Sequence, residues 1–253
     1  MHVAELSFEL LPGDCGDEAV DRVYDLIGVL RRNGNVLSGE LLSSAQNKLC
    51  PHVAVPERDS ISPDHLSARV KRALSDGEQR YTLTCTILGP VAEGAAQCSC
   101  PERRAFVLFT TFLECSPPLR CIECFGYVPL YRIPAEESGD FSGLLHWEAN
   151  YKACDTLQML CTVGEKFGER EMSNLKSHLS RSGMESCAGI EKRTGKPTYY
   201  YLYRGSGRSV QTERQKKCPN CGGEWLLSET LFGRFDFRCD RCRLLSNVAF
   251  NLR

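Results

Sequence analysis

Four cysteines restrict what this chain can fold into more than any other feature: Cys218-x2-Cys221, seventeen residues, then Cys239-x2-Cys242. A C-x2-C pair on a tight turn lets both sulfurs face one ion. Two such pairs make the closed tetrahedral thiolate set that zinc prefers, with no open position for chemistry. Pro219-Asn220 sit between the first pair and Gly222-Gly223 follow it, and glycine lets the backbone curl beneath a metal where a side chain would clash. Residues 224–228 and 235–238 have the pattern of two hairpin arms turning near Leu231-Phe232-Gly233. A tail of about 36 residues buries too little apolar surface to fold alone. Zinc would supply about 10–16 kcal/mol of folding free energy there. The expected cofactor is one structural Zn2+, held by Cys218, Cys221, Cys239 and Cys242.

The chain has 253 residues and 15 cysteines. A disulfide framework suits a short secreted chain, whereas here the N-terminus shows no basic leader and cysteines fall inside helix-like segments (Cys154, Cys161). Reduced thiols in a cytoplasmic protein are therefore expected, some of them metal ligands. No stretch approaches the roughly 20 apolar residues that span a bilayer. The net charge of −1 hides an asymmetry: residues 192–253 hold 13 Lys and Arg against 5 Asp and Glu, so the first 191 residues are acidic. A basic end on an acidic body fits a polyanion-facing surface, or two parts that attract each other.

Residues 3–11 alternate as a strand, and residues 17–32 repeat apolar side chains at helical spacing up to the stop Asn33-Gly34-Asn35. Extended segments at 36–42 and 48–55 could pair as a hairpin. Ser62-Pro63-Asp64 signals a helix running through Leu66, Val70 and Leu74 to Asp76-Gly77, and 81–88 and 105–113 are rich in strand formers. Strand, helix, strand, strand, helix, strand is the split βαβ, ferredoxin-like order. Residues 93–99 read as an exposed loop, and a proline-rich passage covers 115–134. A mostly buried helix is expected at 146–163, with Glu148, Lys152, Asp155 and Thr162 as its polar stripe. Helices at 169–181 and from Met184 to Gly195, separated at Gly183, precede a tyrosine strand at 198–204. A polar linker, 205–215, then leads to the last module. The expected architecture is α+β: a ferredoxin-like domain over 1–114, a helical α+β middle over 115–204, and the zinc ribbon over 205–253.

Several motifs together resemble a bacterial family of unknown function described as zinc-ribbon-containing, candidate nucleic-acid-binding proteins. The resemblance is carried by Cys121-Ile122-Glu123-Cys124-Phe125-Gly126-Tyr127-Val128-Pro129, Tyr151-Lys152-Ala153-Cys154-Asp155, Pro197-Thr198-Tyr199-Tyr200-Tyr201, Cys218-Pro219-Asn220-Cys221-Gly222-Gly223-Glu224-Trp225 and Cys239-Asp240-Arg241-Cys242. It implies a bacterial origin, supports the zinc site and brings no activity with it.

Other constellations say less. Cys121-x2-Cys124 could ligate a second metal if completed by Cys115 or by Cys98-x-Cys100. That set is irregular, and free thiols are the expectation. The helices around Gly183 followed by a strand resemble a winged helix-turn-helix, but Glu185 and Glu191 beside Lys192 and Arg193 suit packing better than a DNA groove. Tyr199, Tyr201 and Tyr203 share one face of a strand. With Arg204, Arg208, Arg214, Lys216 and Lys217 they could stack on bases and meet phosphates, or simply pack. No nucleophile elbow, phosphate loop or HExxH stretch is present, and His146 beside Glu148 or His178 near Arg181 needs no catalytic explanation. The expected function is non-catalytic binding of nucleic acid through the basic C-terminal part. The alternative is a cytoplasmic interaction module that sequesters or inhibits a protein partner, its acidic body suiting a basic toxin or nuclease.

Overall fold

The alternation at the N-terminus and the helical repeat after it both fold as read. A computed structural model describes residues 1–13, 16–37, 41–45, 47–92, 94–160 and 162–253. Strand β1 (His2–Leu10) buries Ala4, Leu6 and Phe8 on one face, and helix α1 (Asp17–Arg32) lays Ala19, Val23, Leu26, Ile27 and Leu30 over them. Fully burying each larger side chain contributes roughly 1.5–3 kcal/mol. Gly34 leaves α1 at φ 81°, where a Cβ would lie 2.7 Å from the Leu130 Cβ, so both conformation and space require glycine. Strands β2 (Leu41–Ala45) and β3 (Lys48–Val55) form the expected hairpin, with its first arm placed later than 36–42. Positions 38–40 of that arm lie outside the described residues.

The second helix starts later than Ser62-Pro63-Asp64 suggests. Those residues open only a 3-10 turn, Pro63–His65, because Leu66 is extended at φ −94°, ψ 127°. Helix α2 (Ala68–Gly77) begins instead behind Ser67, whose Oγ accepts from the Val70 amide at 3.4 Å. Strand β4 (Tyr81–Pro90) completes an antiparallel sheet of order β2-β3-β1-β4. These elements belong to a unit made of Met1–Gln97, Cys115–Pro117 and Tyr127–Ser142.

That returning segment is tied to the helices by Asp140, which is only 3% exposed. One carboxylate oxygen accepts from Ser138 Oγ (2.9 Å) and the Ser142 amide (3.1 Å), while the other meets Arg69 at 3.0 Å and Arg32 at 4.0 Å. Burial opposes its ionisation, but the Ser142 and Ser138 bonds and the Arg69 charge outweigh burial and hold its pKa below the usual value. A depressed carboxyl pKa stabilises the fold above its unfolded value, about 3.9, and that stability is lost as pH falls through the folded value. Asp140→Asn is expected to cost about 1–3 kcal/mol at pH 7, with the gap to wild type closing below about pH 3.5. Urea midpoints of both proteins at the two pH values check this; an equal gap at both would remove the ionic account.

The other unit comprises Cys98–Glu114, Pro118–Gly126 and Gly143–Arg253. Of the strand expected over 105–113, only β5 (Phe106–Leu108) is regular, and it belongs here rather than to the front sheet. It pairs with β6 (Leu119–Cys121). Helix α3 (Ser142–Leu160) buries Leu144, Trp147, Tyr151 and Cys154. Asp155, assigned above to its polar stripe, is 8% exposed and accepts from the Phe112 amide at 2.8 Å. Cys161, within the helix expected over 146–163, and Glu93, within the loop expected over 93–99, lie outside the described residues.

Helices α4 (Glu165–Ser173) and α5 (His178–Thr194) shift the expected boundary, since Gly183 lies inside α5 instead of ending a helix. A Cβ on Gly183 would fall 2.2 Å from Tyr200 and 2.6 Å from the Trp147 indole nitrogen, so this glycine serves close packing. The structure therefore has no helix-turn-helix break at that point. Strand β7 (Thr198–Leu202), helix α6 (Val210–Arg214) and strands β8 (Leu226–Leu231), β9 (Phe235–Cys239) and β10 (Leu244–Ser246) follow. Phe232 (φ 54°) and Gly233 (φ 64°) turn the β8–β9 hairpin where the sequence places the turn. The sheet order is β6-β5-β7-β10-β9-β8, with β7 parallel to both β5 and β10. Among the described residues no helix is long and apolar enough to cross a membrane.

Candidate metal centres

The two C-x2-C turns of the C-terminal module bring Cys218, Cys221, Cys239 and Cys242 together, all four sulfurs within 4.8 Å of one another. Cys221 and Cys239 are 3.7 Å apart. Tetrahedral Zn–S bonds of about 2.3 Å put ligand sulfurs roughly 3.8 Å apart, so the set fits zinc. Backbone bonds shape the first turn: Gly222 N donates to Cys218 O (2.8 Å) and Cys218 N to Gly223 O (2.9 Å). The Gly223 amide leads the effects that push the Cys221 thiol down to about 7, towards the thiolate a metal needs. Trp225 braces the module, stacking at 5.0 Å on Phe237 and donating from its indole to Lys216 O at 3.0 Å.

A second set of four is also formed. Cys98, Cys100, Cys121 and Cys124 likewise lie with all sulfurs within 4.8 Å, where spacing alone led to the expectation of free thiols and a single ion. The completing pair is Cys98-x-Cys100. Cys115 is exposed, falls in the other unit and takes no part. Cys98, placed in an exposed loop by composition, is in fact 4% exposed.

The Cys121 turn repeats the bonds of the Cys218 turn, with Phe125 N donating to Cys121 O (2.9 Å) and Cys121 N to Gly126 O (2.9 Å). In all three C-x2-C turns the residue four after the first cysteine is left-handed: Phe125 at φ 58°, Gly222 at 70°, Arg243 at 53°. Two non-glycine residues held there, each at a cost of about 1–2 kcal/mol, mark one shared metal-knuckle geometry. The Gly126 amide donates to Cys124 Sγ (3.4 Å) and Arg103 Nε to Cys98 Sγ (3.3 Å). Burial is the largest influence on Cys98 and opposes its ionisation, but the bonds from Arg103, the Cys100 backbone and the Cys121 and Cys124 thiols together outweigh it, and the pKa falls. Arg103 was not singled out in the sequence; a cation three residues past a cysteine pair was the available signal. A third grouping, Glu57, Asp59 and His65, is already engaged: Glu57 accepts from Tyr131 (2.6 Å) and Arg132 (3.0 Å), and Asp59 faces His65 at 3.2 Å.

Tyr199, Tyr200 and Tyr201 occupy a strand paired on both sides, with Tyr203 just past its end, which alters their expected role. Tyr199 is 2% exposed, with its hydroxyl on Asp240 (2.5 Å) and Arg238 4.8 Å over its ring, so it offers no open stacking face. Tyr200 packs on Trp147 in the core. Tyr201, half-buried, donates to Asn247 Oδ1 at 2.8 Å, and together with Tyr203 lines a cavity. Asn247 also accepts from the Arg204 amide (3.0 Å), an anchoring role that nothing in the sequence indicated.

Among the cations, Arg204 grips the buried Glu213 with two bonds of 3.0 Å and Lys216 meets it at 2.5 Å. Burial would raise the Glu213 pKa, but these two partners hold it low. Arg204, Arg208 and Lys216 line one open concavity with Glu213. Lys217 pairs with Glu224. Arg208 and Arg214 are exposed and make no ion pair among the described residues.

Comparison with known proteins gives relatives without an assigned activity. Residues 1–85, 100–203 and 207–252 match family models described as domains of unknown function (DUF8589, DUF2310 and DUF8594, respectively). One uncharacterized protein of Haemophilus influenzae is 42% identical over 145 residues, 57% of this chain and 71% of its own. Another from the same organism is 34% identical over 261 residues, covering 99% of both chains. Identity of that level along the whole length shows that this chain belongs to the same family as the second Haemophilus influenzae protein, a family of unknown function.

Proposed function

We propose that this protein is a non-catalytic, zinc-braced binder of nucleic acid that works in the cytoplasm. The carrying observation is the concavity of about 500 Å³ in which Arg204, Arg208 and Lys216 converge around Glu213. Glu213 fixes two of the cations in place and leaves a net positive surface; Arg214 is exposed with no ion pair among the described residues, and Lys217 is exposed beside its partner Glu224. Phosphate contacts of this kind supply most sequence-independent affinity. Either cysteine set would close as a tetrathiolate around a metal ion, which suits bracing rather than catalysis, and reduced thiols suit a reducing compartment. The β2-β3-β1-β4 order, with α1 and α2 as crossovers, supports reading the first unit as ferredoxin-like.

The test is fluorescence anisotropy of a labelled single strand of mixed sequence, titrated from 50 to 200 mM salt. Wild type is expected to lose affinity steeply. The triple variant Arg208→Gln, Arg214→Gln, Lys217→Gln, which spares the Arg204–Glu213 pair, is expected to bind about tenfold more weakly at low salt, with a log–log slope about 2 smaller. Salt-insensitive binding, or a triple variant indistinguishable from wild type, would overturn the reading. Stoichiometric co-purification of one protein without nucleic acid would replace it with a sequestering role.

A further inference from the structure

We infer that the cavity lined by Phe109, Tyr151, Asp155, Tyr201 and Arg234 receives one unstacked nucleobase, with the attached phosphate on Arg234. This rests on the nucleic-acid reading above and gives it a specific contact. The cavity of about 250 Å³ lies wholly within the unit that carries both cysteine sets. Pockets for drug-sized ligands run to roughly 300–1,000 Å³, so this one suits a single ring and not a run of bases.

Its walls have the chemistry of base capture. Phe109 and Tyr201 stand 5.3 Å apart within an aromatic cluster that continues to Phe125 and Phe235. Phe109 is 4% exposed and forms the floor of the cavity, so the half-buried Tyr201 offers the face on which a base stacks. Leu113, Phe250 and Met159 are exposed at the rim by 75%, 56% and 42%, an apolar collar that a bound ring would cover. The hydrogen-bonding groups come from α3. Asp155 uses one oxygen for the Phe112 amide and has no other hydrogen bond among the described residues. One helical turn earlier, the Tyr151 hydroxyl has no hydrogen-bond partner among the described residues. An acceptor and a hydroxyl left open beside an aromatic cavity match the polar edge of a base.

The anion position is supplied by Arg234. It is exposed, lies 5.6 Å over the Phe109 ring, and pairs with no carboxylate among the described residues. Arg253, the other cation on the cavity wall, is engaged with Asp236. The phosphate-bearing ring could belong to a strand or to a free mononucleotide, and titration separates the two.

The experiment is calorimetric titration of the full-length, zinc-loaded protein with each of the four ribonucleoside 5′-monophosphates, the matching nucleosides, and a 5′-phosphorylated twelve-nucleotide strand. Saturable 1:1 binding of at least one monophosphate is expected. Binding should weaken by about three- to tenfold for the nucleoside, for Arg234→Gln and for Tyr151→Phe, both variants melting like wild type. No monophosphate bound up to about 1 mM, or wild-type binding by both variants, overturns the cavity assignment. If the strand still binds in that case through Arg208, Arg214 and Lys217, the broader reading survives alone. Monophosphate binding without strand binding supports the cavity and rejects the phosphate-tracking surface.

Discussion

Purified without chelators, this protein is expected to carry two equivalents of zinc and to lose the order of its second unit when they are stripped. Each cysteine set gathers four sulfurs at distances that fit one tetrahedral ion. A structural zinc contributes about 10–16 kcal/mol to the fold it closes, while a whole domain is stable by only about 5–15 kcal/mol. Losing either ion therefore outweighs what packing can offset. The damage should spread, because the sets are joined to one sheet: Cys121 ends β6, Cys239 ends β9, and β10 lies between β9 and β7. Cys218→Ser and Cys121→Ser are each expected to bind one equivalent, which assigns the ions separately. Elemental analysis with hydrogen exchange of the amides in β7, β9 and β10 measures both effects. One equivalent in wild type, unchanged in Cys121→Ser, would eliminate the second centre. Disulfides joining these sulfurs in freshly prepared protein would eliminate both.

What the sequence made legible follows from the range of the interactions involved. Helix α1 and strand β3 were readable to the residue because periodicity and stop signals act over a few positions, as in 17–32 with Gly34 behind it. The C-terminal four-cysteine set was readable because tight C-x2-C turns fix its spacing locally, at Cys218-x2-Cys221 and Cys239-x2-Cys242. The second centre escaped because Cys98-x-Cys100 breaks the usual C-x2-C interval, although its pairs lie about as far apart as those of the C-terminal set. Its remaining clue, a left-handed position after the pair, is hidden where Phe125 replaces the glycine that announces the same turn at Gly222. Gly183 misled for a related reason: glycine is used at helix ends and at close packing alike, and only the distant Tyr200 ring decides between them. The tyrosine strand was visible from propensity. Its burial depends on pairing with β5 and β10, contacts that lie far away in sequence.

Arg120→Ala is expected to destabilise the second unit by about 3–5 kcal/mol, the largest effect of any single change outside the cysteine sets. Arg120 is 1% exposed in β6, where its guanidinium meets Glu114 at 3.0 Å and lies 5.7 Å from the Phe125 ring. Burial lowers its pKa, but the Glu114 partner keeps the charged form favourable. Glu148, paired with Lys152 at 2.7 Å, is buried enough that its pKa rises despite Lys152 and Arg120. Removing the guanidinium takes the Arg120 cation from Glu114 and withdraws one of the two that stabilise Glu148. It also opens a cavity behind the Phe125 knuckle, so packing loss adds to the electrostatic cost. The two contributions separate by rescue. Arg120→Met with Glu114→Gln fills most of the space and removes the carboxylate charge that faced the guanidinium, and is expected to recover at least half of the loss. Urea unfolding followed by the fluorescence of Trp147 and Trp225, both in this unit, reports the midpoints. If the double variant is as unstable as Arg120→Ala, shape and not charge balance is what Arg120 supplies beside the second centre.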